Sequence, residues 1–182
     1  KVWDAATGNE VMTMRGHTSS INSVAWSPDG RYVLTGSWDK TAKVWDAATG
    51  NEVMTMRGHT DGITSVAWSP DGRHLLTGSM DETAKIWDAT TGNEVMTIRE
   101  HTDGITSVAW SPDGRHVLTG SDDKTAKVWD AATGNEVMTM RGHTSSINSV
   151  AWSPDGRYVL TGSWDKTAKV WDAATGNEVM TM

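Results

Sequence analysis

A chain of 182 residues with no cysteine, no phenylalanine, eleven tryptophans and a formal net charge of −7 has the length of one domain and enough material for a buried core. The missing thiols exclude disulfides and thiolate chemistry without identifying a compartment, for which the cytoplasm is only the default. The acidic balance opposes binding of nucleic acid through phosphates, and no apolar run approaches the roughly 20 residues of a membrane helix, so neither nucleic acid nor a membrane is an expected partner.

Residues 1–14 are a partial copy of a 42-residue unit that then runs complete four times, over 15–56, 57–98, 99–140 and 141–182. Trp-Asp closes each copy, at Trp3-Asp4, Trp45-Asp46, Trp87-Asp88, Trp129-Asp130 and Trp171-Asp172. Lys1 to Met56 recurs letter for letter as Lys127 to Met182, so a three-unit period overlies the shorter one. A period this strict predicts one structural unit stacked repeatedly, and it speaks against an active site, which is normally built once.

Within the first unit, Ile21 to Trp26 reads as a short strand. Ser27-Pro28-Asp29-Gly30 is a tight turn: proline presets φ, and glycine accepts a positive φ. Arg31 to Ser37 is the second strand, Asp39-Lys40 a reversal, Thr41 to Trp45 the third, Asp46 to Gly50 a polar turn, and Asn51 to Met56 the fourth. No ten-residue stretch has helical periodicity. The expected class is therefore all-β, with each unit a four-stranded antiparallel meander and residues 1–14 an extra hairpin of third and fourth strands. A sheet this small cannot bury both faces alone; stacking neighbours face to face around an axis does so. Trp26, Val33, Val44, Val53 and Met54, with their copies, are expected between the stacked sheets.

Each unit also carries a His, a Thr, an Asp and a Trp at fixed spacing. The sets are His17, Thr35, Asp39, Trp45; His59, Thr77, Asp81, Trp87; His101, Thr119, Asp123, Trp129; and His143, Thr161, Asp165, Trp171. His, Asp and Thr are the residue types of a base, an orienter and a nucleophile. The same groups serve structure when buried, because imidazole, carboxylate, hydroxyl and indole then satisfy one another. Fourfold repetition favours structure, and no catalytic residue is assigned. His74 and His116, in the place of Tyr32, have no second and third ligand at metal-site spacing, so neither a metal nor a cofactor is expected.

Gly-His before the first strand, Ser-Pro-Asp-Gly, Thr-Gly-Ser-x-Asp-x-Thr and the closing Trp-Asp resemble the WD-repeat (WD40) β-propeller family, over essentially the whole chain. The resemblance implies propeller blades, a structural hydrogen-bonded tetrad at the four sets above, and a non-enzymatic scaffold for protein or peptide partners. Glu100 departs from the family's Gly beside the His, which bears on the loop of the third unit but not on its tetrad.

The first and third units differ at six positions: Gly16/Glu100, Ser19/Asp103, Ser20/Gly104, Asn22/Thr106, Tyr32/His116 and Trp38/Asp122. All but Tyr32/His116 belong to the end formed by the loop before strand one and the turn between strands two and three. A uniform frame with one varied end suits a presenting surface. It is similar to the family's usual partner face, which maps here to Ser20, Asn22 and Trp38; Gly62, Thr64 and Met80; Gly104, Thr106 and Asp122; and Ser146, Asn148 and Trp164. Trp38, Met80 and Trp164 are the expected anchors unless they lie on their own or a neighbouring blade. Asp122 favours a basic group in the ligand.

Four units and a spare hairpin leave three arrangements open: a portion of a longer repeat chain, several chains completing one ring, or four blades closing alone. The expected function is a scaffold for protein–protein or peptide interaction, as an arc of a larger or oligomeric propeller. Two alternatives stand beside it: a recently amplified or constructed self-assembling scaffold without an external partner, and the sensing segment of a larger signalling protein.

Overall fold

The computed structural model describes residues 1–182, all in strands, turns and loops. A two-stranded hairpin, β1 (Val2–Trp3) and β2 (Glu10–Met12), precedes four four-stranded sheets. The first sheet is β3 (Ile21–Trp26), β4 (Tyr32–Ser37), β5 (Thr41–Asp46) and β6 (Glu52–Arg57). The second is β7 (Ile63–Trp68), β8 (His74–Ser79), β9 (Ala84–Asp88) and β10 (Glu94–Ile98), and the third β11 (Ile105–Trp110), β12 (His116–Ser121), β13 (Thr125–Asp130) and β14 (Glu136–Arg141). The fourth is β15 (Ile147–Trp152), β16 (Tyr158–Ser163), β17 (Ala168–Asp172) and β18 (Glu178–Thr181). Strands pair antiparallel in chain order within every sheet, as blades of a propeller do.

Local chemistry sets the blade outline. In the first turn, Asp29 accepts from the Ser27 hydroxyl (2.6 Å) and the Arg31 amide (3.0 Å), and Gly30 sits at φ +71°. At the opposite end, Asp39 accepts from the Thr41 amide and hydroxyl (3.0 and 2.6 Å) while Lys40 takes φ +70°, closing the β4–β5 turn. The third turn repeats the device: Asp46 accepts from the Thr49 amide at 2.8 Å, and Gly50 takes φ +73°. Short polar side chains that bond their own backbone are the reason these turns recur with only Glu82 for Lys40 and Thr90 for Ala48 changed in the second unit.

The core lies between blades. Leu34, Ala42, Val44 and Met56, on the trailing face of the first blade, pack against Ile63, Val66, Leu75 and Trp87 on the leading face of the second. The two other seams repeat this set, through Leu76 against Ile105 and Val108, and Leu118 against Ile147 and Val150. Each fully buried large side chain is worth about 1.5–3 kcal/mol. Gly36 allows the close approach: a Cβ there would lie 2.6 Å from Ile63 Cγ2 and 2.7 Å from Val66 Cγ1.

Two of the residues expected between sheets behave differently. Val53 and its copies Val95, Val137 and Val179 are exposed. The register shifts between Val44, paired with Met54, and Trp45, paired with Glu52, so Val53 is the unpaired residue of a bulge on the outermost strand; it lies at the open mouth of the seam, lining a cleft with Met54 and the next blade's Trp68. Trp26 is also exposed, whereas Trp68, Trp110 and Trp152 are half-buried, because no blade precedes the first.

The ring does not close on itself. Val24 is 67% exposed where Val66, Val108 and Val150 are 6–8%, and Leu160 is 41% exposed where Leu34 and Leu118 are fully buried. The chain is an arc whose first blade has only the β1–β2 hairpin beside its leading face, with Met12 reaching Gly50, and whose last blade has an uncovered trailing face.

Candidate functional site

The four polar sets come together identically. His17 Nδ1 lies 2.7 Å from Asp39 Oδ2, His17 Nε2 lies 2.7 Å from Thr35 Oγ1, and Trp45 Nε1 donates to Thr35 Oγ1 at 2.9 Å. The corresponding His–Asp and His–Thr contacts are 2.8 and 2.7 Å at His59, 2.6 and 2.7 Å at His101, and 2.7 and 2.7 Å at His143. Trp87, Trp129 and Trp171 each donate at 2.9 Å to Thr77, Thr119 and Thr161. One arrangement of protons satisfies every group: indole N–H to hydroxyl, hydroxyl to Nε2, Nδ1–H to carboxylate. The Thr oxygen that would act as nucleophile therefore has its hydrogen-bonding capacity taken by indole and imidazole. Thr35, Thr77, Thr119 and Thr161 are all buried.

The carboxylates of these sets carry a pH signature. Burial by itself raises the Asp39, Asp81 and Asp123 carboxyls. Hydrogen bonds outweigh it, chiefly from Thr41 and the Thr18 amide at Asp39 and from His59 and His101 at the other two, and hold each far below the ordinary 3.8. Asp165 is lowered likewise, mostly by the Thr167 hydroxyl. Between the depressed and the ordinary values the unfolded chain binds more protons than the folded one. The contribution is thus complete above the ordinary value and is lost as pH falls below it. Thermal unfolding followed by circular dichroism should give a Tm that falls steeply below about pH 4; a Tm unchanged down to about pH 3 would contradict this origin.

The third blade keeps its tetrad with Glu100 in the glycine slot. Glu100 takes φ +116°, a region that side chains rarely occupy, where Gly16, Gly58 and Gly142 take +157° to +159°. The Thr102 amide reaches Asp123 at 3.2 Å, longer than its three counterparts at 2.8–3.0 Å. Such strain costs on the order of 1–3 kcal/mol. Glu100→Gly is expected to raise Tm by about 2–12 °C, and an unchanged or lower Tm would show that the loop is unstrained.

The residues of the candidate binding face lie along one end of the arc, and several reach the next blade. Trp38 packs against Gly62: a Cβ at Gly62 would fall 1.9 Å from Trp38 Cε3. Met80 covers Gly104 in the same way, with Sδ 2.8 Å from the corresponding position. Gly62 and Gly104 are therefore buried, while Trp38 stays 44% exposed and Trp164, with no blade beyond it, 71%. Asn22 Nδ2 donates to Ile63 O at 2.8 Å, Thr64 Oγ1 to Ile105 O at 2.5 Å, and Thr106 Oγ1 to Ile147 O. Asn148 makes no such bond, since no blade follows, and Ser20 is exposed. Asp122 and Ser146 are half-buried.

Sequence reasoning left one cluster unnoticed. Lys43 Nζ donates to Glu52 Oε2 (2.7 Å) and Thr55 Oγ1 (2.8 Å), with the lysine side chain nearly buried; Lys43 and Thr55 in turn hold the Glu52 carboxyl low. Lys85, Lys127 and Lys169 repeat the ion pair. Its signal was a lysine between two apolar residues of the third strand in every unit. The pairs link third to fourth strands.

Comparisons with known proteins agree with this geometry. The family model described as "WD domain, G-beta repeat" matches residues 8–46, 50–88, 92–130 and 134–172. The nuclear distribution protein PAC1 of Arthroderma benhamiae is 46% identical over 43 residues, which cover 24% of this chain and 9% of that protein. The guanine nucleotide-binding protein subunit beta of Saccharomyces cerevisiae is 48% identical over 42 residues, 23% of this chain and 10% of that protein. Coronin-7 of Mus musculus is 46% identical over 35 residues, 19% and 4%. The matched stretches are about one blade long and a small part of each relative.

Proposed function

The chain belongs to the WD40 repeat family, whose members are generally non-catalytic scaffolds that commonly bind proteins, and from that premise we propose that it is a non-enzymatic interaction scaffold, an open arc of a larger propeller, that presents the end carrying Ser20, Asn22 and Trp38 and their counterparts to a protein or peptide. The observation that carries this reading is the clustering of five of the six differences between the first and third units at that end. The tetrads beneath it do not vary and the turns at the opposite end change only at Thr90, so the frame is nearly constant while the displayed residues change from blade to blade. Trp38 and Trp164 keep large apolar area in water, the composition of an interface anchor. Asp122 adds a carboxylate that favours a basic group in the ligand, and the net charge of −7 steers the same kind of partner.

A peptide array read with the 182-residue chain tests this. Bound peptides should lose affinity about tenfold or more in the double variant Trp38→Ala, Trp164→Ala. They should keep it in Arg73→Ala, whose side chain is 81% exposed at the opposite end. Binding that survives the tryptophan pair, or falls with Arg73, would overturn the assignment of the face.

A further inference from the structure

We propose that a second copy of this chain covers the open trailing face of the fourth blade with its own first blade, head to tail, by the seam that the chain already makes three times within itself. The apolar partners are present and unused. Leu160 and Val170 on the trailing face stand where Leu34 and Val44 pack, and Ile21 and Val24 on the leading face stand where Ile63 and Val66 receive them. The close approach is prepared as well. A Cβ at Gly36, Gly78 or Gly120 would collide with the following blade at 2.6–2.8 Å, whereas at Gly162 it meets nothing nearer than its own chain's Asn148 Oδ1 at 3.4 Å. Polar groups complete the match. Across the internal seams the Val66, Val108 and Val150 amides donate to Ser23, Ser65 and Ser107 at 3.1–3.2 Å. At the open end, Ser149 and Asn148 are free to accept from Val24 N and donate to Ile21 O of the second copy. This seam rests on the arc being open and is independent of what the rim binds.

The hairpin β1–β2 stands in the way and can leave. Residues 1–14 are identical in sequence to 169–182, so a docking copy carries its own hairpin to the place β17–β18 holds. The hairpin bonds only to itself, as a two-stranded sheet, while β17 is also paired with β16. The incoming hairpin is the one displaced. Such contact is heterologous, and two four-blade arcs closing in this way make eight blades, within the usual range of about 4–8.

The rim sets how tight that seam is. Inside the chain a bulky residue is followed by glycine on the next blade (Trp38 over Gly62, Met80 over Gly104), and Asp122 is followed by Ser146. The intermolecular seam sets Trp164 against Ser20, whose Cβ occupies the space the indole would take, so Trp164 turns out to water there.

Light scattering on the 182-residue chain is the test, and its mass should be at least twice 19.7 kDa. Gly162→Val, blocked at the tail, and Val24→Glu, blocked at the head, should each be folded and monomeric by circular dichroism and mass. Mixed together, they should form a one-to-one dimer through the single seam left open. Ser20→Gly should tighten the wild-type assembly roughly tenfold by readmitting the indole; no tightening would remove Trp164 from the seam. A monomeric wild type, an assembly that survives Gly162→Val, or variants that do not combine on mixing would overturn the proposal. A monomer that still binds array peptides through Trp38 would sink self-docking alone and leave the scaffold reading standing.

Discussion

Thr119→Ala is expected to lower stability by about 2–5 kcal/mol, because one hydroxyl satisfies two buried groups. Trp129 Nε1 donates to it at 2.9 Å and His101 Nε2 lies 2.7 Å away, with both rings buried and no second protein partner for either nitrogen. Removing the oxygen leaves two polar atoms without water or protein, at about 1–3 kcal/mol each. Thr119→Ser keeps the oxygen and loses only a methyl, so its cost should be near 1 kcal/mol. Urea unfolding of the two variants distinguishes the cases. Equal losses would mean that the methyl, rather than the hydrogen-bonded oxygen, matters at this position.

Gly78→Val should be comparably damaging, for a steric reason. A Cβ at Gly78 lies 2.7 Å from both Ile105 Cγ2 and Val108 Cγ1, two buried side chains on β11 that have no space to retreat into. Overpacking of this kind costs about 1–3 kcal/mol, and a branched side chain puts the effect at the upper end. Gly162 occupies the same place in the fourth blade with no blade against it, so valine there should cost little in the isolated chain. Thermal melts of the two variants give a paired comparison. A similar loss at both positions would mean that glycine is needed for the strand itself and not for the approach of the next blade.

Much of this arrangement is legible in one unit of sequence, for local reasons. The four strands begin and end within a residue of the turns, because Ser27-Pro28-Asp29-Gly30, Asp39-Lys40 and Asp46 to Gly50 fix their own backbone through short side-chain bonds. The His, Thr, Asp and Trp spacing likewise points to a satisfied network. What sequence does not display is contact across the seam. Asn22 reads as a surface residue, yet its amide bonds to Ile63 O, 41 positions away. Gly36 reads as a strand glycine, and only the neighbouring Ile63 and Val66 reveal why it is there. Val53 is misplaced for a subtler reason: strict alternation predicts a buried side chain, and a one-residue bulge against β5 leaves it at the exposed mouth of the seam.

The same limit explains the ambiguity of the rim. Trp38 was legible as an unusual residue in a turn, but its support on Gly62 depends on the order of units along the arc. It packs one face on the next blade and offers the other to solvent, so support and display are both properties of this side chain.

The most direct test of the account is to follow the indole N–H signals by NMR while an array-selected peptide is added. The signals of Trp38 and Trp164 should shift on binding, while the tetrad indoles of Trp45, Trp87, Trp129 and Trp171 hold their positions. Shifts confined to Trp68, Trp110 and Trp152, or seen at the Ser-Pro-Asp-Gly turns with Trp38 and Trp164 unmoved, would contradict it.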